Sequence, residues 1–181
     1  MGKKKFMDRR KYTEKLFEKE LIRNRGLGKE GVHDVVIVLD HLKPSFNIGK
    51  IFRSAEAFGA NSIHLVGINF FDPIPSKGCF RKVKAHFHET FDDCYKSLLE
   101  SGYTLLGLDS NTEDYLQDIE IPKKAAFILG HEEYGLSFDL LDYPEIKRLK
   151  IRQFGVTESL NVAIAATVSM YEYTRVHGAD R

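Results

Sequence analysis

The sequence predicts an α/β domain, a parallel sheet flanked by helices, preceded by a basic N-terminal helix. Three observations carry that reading. From His33 onward, short apolar runs of strand length alternate with helical patterns. Loops rich in glycine and polar residues follow those runs, where a parallel sheet exposes its ligand-binding edge. The third is charge: residues 1–31 hold eleven Lys or Arg against five Asp or Glu, while the whole chain carries only +1, so the remaining 150 residues carry −5. A basic helical extension at 1–31 and one domain at 32–181, long enough for a sizeable core, are therefore expected.

The elements follow in order. Between Asp8 and Arg25, Tyr12, Leu16, Phe17 and Leu21 recur at helical spacing among charges, which predicts an amphipathic helix able to dock on the body or on a partner. Gly26, Gly28 and Gly31 then predict a flexible connection. Strands are expected at Val35–Leu39, Ser62–Val66, Tyr103–Leu108, Ala125–Leu129 and Arg148–Arg152. Helices are expected at Phe46–Phe58, Phe91–Glu100, briefly after Ser137, and at Ser159–Val176. Gly67–His88 shows no clear period.

Composition narrows the function classes. No apolar run reaches the eighteen or so residues of a membrane span, and neither a signal peptide nor a myristoylation motif opens the chain, so a cytoplasmic protein is expected. Cys79 and Cys94 show no CxxC spacing and read as reduced thiols. His86 and His88 would share one face of a strand, but two imidazoles without a third ligand do not make a metal site, and no metal is expected. Neither G-x-G-x-x-G nor G-x-x-x-x-G-K-[ST] follows the first strand, which argues against a nucleotide or flavin fold.

Three segments at the strand ends carry candidate chemistry. Asn47-Ile48-Gly49-Lys50-Ile51-Phe52-Arg53 opens the second helix. Its apolar residues face the core, which leaves Asn47 and Lys50 near the free amides of the N-terminus, where an anion is favoured, and Arg53 one turn on. Alone, Arg53 is more readily read as a surface ion pair with Glu56 or a neighbouring carboxylate. Gly130-His131-Glu132-Glu133-Tyr134-Gly135 brackets two carboxylates with glycines as the chain leaves a buried strand. Ile151 through Ala163 runs from a strand through a polar loop into a helix, with Ser159 and Asn161 at cap and first-turn positions.

Together these segments resemble the SpoU-type (TrmH-like) branch of the SPOUT methyltransferases over roughly Val35–Arg175. The motifs are N-x-G-x-x-x-R at 47–53, G-N-E-x-x-G at 130–135 and S-L-N-V at 159–162. The resemblance implies an RNA 2'-O-ribose methyltransferase acting on tRNA or rRNA. It also implies a C-terminal deep trefoil knot, a homodimer, and S-adenosylmethionine held at Leu108, Gly130, Ile151, Ser159 and Leu160. The matching arginine, Arg53, is assigned to activation of the ribose hydroxyl. Because a guanidinium holds its proton, we read Arg53 as gripping substrate phosphate and stabilising the developing oxyanion, with Asn47, Glu132 and Asn161 positioning ribose, loop and cofactor. Lys50, Arg53, Arg81, Lys82 and Lys84, with the basic tail, are expected to hold RNA phosphates without reading sequence. The absence of a long C-terminal extension favours tRNA slightly over rRNA.

The sequence departs from the family pattern at two points. His131 stands where Asn is usual, which questions one supporting hydrogen bond, and Arg152-Gln153 replace Pro-Met, which frees the backbone there. The competing reading is a catalytically silent RNA-binding protein of the same fold; intact Asn47, Arg53, Glu132 and Asn161 argue against it.

Overall fold

Strands that read as unbroken apolar runs suit a sheet covered on both faces, and the computed structural model of the protein builds them so. It describes residues 2–178, with side chains from residue 10 onward. Residues 179–181 of the predicted domain and the lysine side chains at 3–5 of the predicted basic arm lie outside the described residues.

Six strands, β1 (His33–Asp40), β2 (Ala60–Val66), β3 (Lys84–His88), β4 (Thr104–Leu108), β5 (Ala125–Leu129) and β6 (Ile146–Leu149), form one sheet in the order β3-β2-β1-β5-β4-β6. Every pairing is parallel. The two central strands are the most deeply covered: Val35–Asp40 and all of β5 are buried.

Helices α2 (Phe46–Ala57), α4 (Val162–His177) and α1 (Gly2–Leu27) cover one face, and α3 (Phe91–Glu100) with the loop around 136–143 covers the other. α2 starts where Ser45 Oγ accepts from the Asn47 amide (3.4 Å), and it buries Ile48, Gly49, Ile51, Phe52 and Ala55. α3 is capped by Thr90, whose Oγ1 accepts from the Asp93 amide at 3.2 Å. After edge strand β6 the chain crosses back over the sheet, so that α4 packs on α2, β1 and β5.

The structure revises several expectations. β3 emerges from the unpatterned stretch, because an edge strand reading Lys-Ala-His-Phe-His is only partly buried and carries little alternation. The last strand ends at Leu149 rather than Arg152: Lys150 turns to pair with the 114–116 loop, donating to Asp114 O (2.8 Å) and accepting from the Leu116 amide (2.9 Å). The helix expected after Ser137 is a single 3-10 turn at Leu140–Asp142, begun by Asp139. Helix α4 starts at Val162, with Asn161 and not Ser159 as its cap, because Asn161 Oδ1 accepts from the Ala163 amide at 3.0 Å.

The N-terminal helix docks on the body. Phe17 is buried among Phe70, Phe71, Phe80 and Phe87, while Tyr12, expected on the same face, is exposed. Buried Asn24 donates to Phe80 O (2.5 Å) and Val83 O (2.6 Å). The connection that the glycines predict to be flexible is pinned at both ends: the Lys29 amide donates to Lys82 O (2.8 Å) and the Gly31 amide to Asn61 O (3.1 Å).

Candidate active site

At the C-terminal edge of the sheet, loops after β4, β5 and β6 and the start of α4 enclose a cleft of about 670 Å³. That is within the usual range for a small-molecule site. Leu108, Gly130, Ile151, Ser159 and Leu160 all line it, as do Glu132 and Asn161. Its floor is apolar, with Leu129, Leu149 and Val162, and its rim is polar, with Asp109, Glu133 and Glu158. From Gln153 to Leu160 the chain is neither helix nor strand, and among the described residues no backbone hydrogen bond is made by its amides or carbonyls. Such a wall offers its polar groups to a ligand.

Gly130 fixes the shape of the next wall. The chain turns back so that His131 and Gly135 exchange hydrogen bonds, N to O at 2.7 and 2.9 Å, and this closes the loop over Gly130. A Cβ at 130 would stand 2.5 Å from Gly135 O and 2.6 Å from Leu136 N, so only glycine fits. Gly135 itself has φ +73°, the left-handed region that glycine favours.

One hydrogen-bonded chain joins the three motifs. Asn47 Nδ2 donates to Glu132 Oε1 at 2.9 Å, and Asn161 Nδ2 donates to Asn47 Oδ1 at 3.3 Å. Glu132 Oε2 also accepts from the Lys43 amide (3.4 Å). Asn47 is thus the bridge between the loop after β5 and the start of α4, and Asn161 serves both this chain and the helix cap.

Arg53 and Lys50 are exposed on α2 and do not line the cleft. The expected alternative partner of Arg53, Glu56, is engaged by Lys82 Nζ at 2.9 Å, and among the described residues Arg53 has no hydrogen bond or salt bridge. Lys82 is therefore neutralised locally, while Arg81 and Lys84 lie partly exposed beside it at the entry to β3. Ser54 Oγ and Thr167 Oγ1, 2.8 Å apart, tie α2 to α4 directly behind Arg53.

Both departures from the motif pattern have structural answers. His131 Nδ1 accepts from the Glu133 amide at 3.0 Å and from the Tyr134 amide at 3.4 Å, so the ring supplies the acceptor that holds the loop. Arg152 stacks on Tyr115 (4.3 Å from guanidinium carbon to ring centroid), pairs with Asp118, and donates its backbone amide to Gln117 Oε1 at 3.2 Å. These ties hold the segment where a proline's fixed φ would otherwise act.

Other supports have no local signal in the sequence. Asp40, fully buried at the end of β1, accepts from Ser137 N (2.6 Å) and Ser137 Oγ (2.9 Å), with His41 Nδ1 2.7 Å away. It anchors the far end of the loop over the cleft. Lys43 Nζ meets Glu133 at 2.7 Å; the hydrogen bond raises the lysine's pKa and lowers the glutamate's, though on an exposed rim it adds little stability.

The chain is similar to known proteins along most of its length. It is 30% identical over 153 residues to an uncharacterized tRNA/rRNA methyltransferase of Synechocystis sp., covering 81% of this chain and 39% of that protein. It is 27% identical over 148 residues to a tRNA (guanosine(18)-2'-O)-methyltransferase of Thermus thermophilus, covering 78% and 75%. The fold superposes on the SpoU methyltransferase AviRb of Streptomyces viridochromogenes in complex with AdoMet, with TM-score 0.68 and 25% identity over 86% of this chain and 62% of that one. The SpoU rRNA Methylase family model matches residues 34–171, a span from β1 to α4 that contains the cleft and all three linked motifs; the chain belongs to that family.

Proposed function

We propose that the protein is an S-adenosylmethionine-dependent RNA 2'-O-ribose methyltransferase acting on tRNA or rRNA, with tRNA favoured. The observation that carries this reading is the Glu132–Asn47–Asn161 chain on the rim of a cleft whose wall has unpaired backbone groups. The cleft suits the cofactor by shape and chemistry. Its apolar floor accepts an adenine, its free backbone groups match the base and ribose, and its carboxylate rim favours a ligand bearing a sulfonium and an ammonium. When bound, the cofactor supplies an electrophilic methyl group.

The chain's own residues then position the RNA. Glu132, held by Asn47 and by the Lys43 amide, orients the loop and a ribose hydroxyl at the rim. Arg53, having no carboxylate partner among the described residues, is available to a phosphate and to the oxyanion that develops as the hydroxyl passes its proton to phosphate or water. Lys50, Arg81 and Lys84 extend this basic surface, with Lys82 released from Glu56 as RNA approaches.

Arg53 lies outside its own chain's cleft, and Phe46, Ile164 and Tyr171 are exposed on the same helices, with Phe154 and Val156 exposed on the cleft loop. A homodimer that covers these apolar side chains and brings Arg53 to the partner's cleft fits both facts. The trefoil knot belongs to the same proposal. The pairing of residue 150 with the loop at 114–116, and the return of the chain over the sheet into α4, support it. No helix among the described residues is long and apolar enough to cross a membrane, and a cytoplasmic site of action fits an RNA substrate.

Calorimetric titration with S-adenosylmethionine, followed by methyl transfer to total tRNA and rRNA with nuclease mapping of 2'-O-methyl nucleotides, tests the proposal. Binding and transfer are expected in the native protein, with transfer lost and cofactor binding kept in Arg53→Ala. Cofactor binding without transfer to any RNA would instead support the silent RNA-binding reading; absence of both overturns the proposal.

A further inference from the structure

His64, His86 and His88 stand on one face of the sheet: His64 and His86 are register partners across β2 and β3, and His88 lies two residues further on. The expectation of no metal rested on the lack of a third ligand near His86 and His88. The fold supplies it from two other elements. His88 Nε2 lies 3.0 Å from His64 Nδ1, and Cys94 Sγ, reaching down from α3, lies 3.6 Å from the same nitrogen. One donor atom from each of His64, His88 and Cys94 lies within 4.8 Å of both others.

Those separations can be compared with coordination geometry. Zinc bonds of about 2.05 Å to nitrogen and 2.3 Å to sulfur at tetrahedral angles place two nitrogens about 3.3 Å apart and a nitrogen and a sulfur about 3.6 Å apart. We propose that His64, His88 and Cys94 form a zinc site that clasps the edge strand β3 to β2 and α3. The fourth position falls to water or to His86, whose ring centroid is 4.6 Å from that of His64. His64 and Cys94 are buried and His88 half-buried, so the site is closed on the protein side and reachable from the sheet edge. Borderline-soft nitrogen and thiolate donors select zinc over calcium or magnesium. On binding, Zn²⁺ forms a bond to the Cys94 sulfur and the thiol proton passes to solvent, so metal uptake releases one proton per site.

None of the three ligands lines the cleft, so the site is separable from methyl transfer. Its role is mechanical: the Arg81–Lys84 segment leads into β3, and an edge strand fastened at its C-terminal end holds that segment against the body.

The full chain, reduced and stripped with a chelator, is titrated with Co²⁺ and, separately, loaded with Zn²⁺ and passed through gel filtration. Expected are one retained Zn²⁺ per chain, visible Co²⁺ bands with a sulfur-to-metal charge-transfer band, and displacement of Co²⁺ by Zn²⁺. His88→Gln and Cys94→Ala should each weaken Co²⁺ binding by more than about tenfold, and Cys94→Ala should also remove the charge-transfer band. Cys79→Ala, at the other cysteine, should change neither. His88→Gln replaces a half-buried side chain, and far-UV circular dichroism checks its fold, so the test stands even if Cys94→Ala fails to fold. No retained zinc and no charge-transfer band in the native protein, or Co²⁺ affinity unchanged in folded His88→Gln, overturns the proposal and leaves a hydrogen-bonded histidine pair.

Discussion

Removing the Asn47 side chain tests whether the three motifs act as one unit. Asn47→Ala deletes a donor to the Glu132 carboxylate at 2.9 Å and an acceptor for Asn161 at 3.3 Å, while the backbone amide that Ser45 caps remains. A hydrogen bond to a charged group contributes about 1.5–3 kcal/mol when desolvated, and a neutral one about 0.5–1.5. Asn47 is half-buried and Glu132 exposed, so solvent competition brings the Asn47–Glu132 coupling below the desolvated range, to about 1 kcal/mol. Methyl transfer measured as kcat/KM in Asn47→Ala, Glu132→Ala and the double variant should therefore show a double loss about fivefold smaller than the product of the single losses. Asn47→Ala alone should cost about 10–30-fold, since it also frees Asn161. Single losses that multiply to the double loss, within the 0.3–0.5 kcal/mol expected of independent sites, would refute the idea that Asn47 acts through Glu132.

Gly130→Ala places a methyl against the Gly135 and Leu136 backbone, so the loop must open; calorimetry should show S-adenosylmethionine affinity falling by tenfold or more, on the order of the 1–3 kcal/mol that overpacking costs. Phe17→Ala empties a site walled by four phenylalanine rings and should lower unfolding free energy by about 3 kcal/mol in urea melts, whereas Tyr12→Ala, exposed on the same helix, should change it by less than about 0.5. Asn161→Asp keeps the helix cap but loses the donor to Asn47, so Tm should hold while methyl transfer falls; equal loss of both would make Asn161 purely structural. Burial of Tyr173, and hydrogen bonds from Tyr95 to Glu145 and Tyr143 to Asp92, push these three phenols up to about 12. The folded state thus keeps protons that the unfolded chain loses near pH 10, so this stabilisation is intact below pH 10 and is lost between 10 and 12; ultraviolet titration of native and denatured protein should show the delayed ionisation.

What the sequence makes legible follows burial. β5 and α3 begin and end where their patterns predict, because one is buried along its whole length and the other presents a regular apolar face of Phe91, Cys94 and Leu98 after a Thr90 cap. β3 lacks that signal: its Lys-Ala-His-Phe-His pattern is set by an edge position and a histidine cluster rather than by a core. The end of β6 is obscured because Lys150 continues the chain's extended run but finds its backbone partners in the 114–116 loop outside the sheet.

The site divides along the same line. Asn47, Glu132 and Asn161 are legible as parts of three strings, but that they share one hydrogen-bond chain is a property of the sheet order, which sets β5 beside β1 and returns α4 to α2. Buried Asp40 shows why such supports escape a one-dimensional reading. It meets Ser137 across 97 residues, and neither residue type nor spacing marks the pair. Yet an ionised carboxylate buried without partners would be costly, so the two bonds from Ser137 both satisfy Asp40 and fix the far end of the loop that begins at Gly130. The loop is then held at three places: by Gly130 packing under Gly135, by Glu132 against Asn47, and by Ser137 against Asp40. A cleft wall fixed at both ends and in the middle is preorganised for a ligand, and that places the conformational cost in folding rather than in binding.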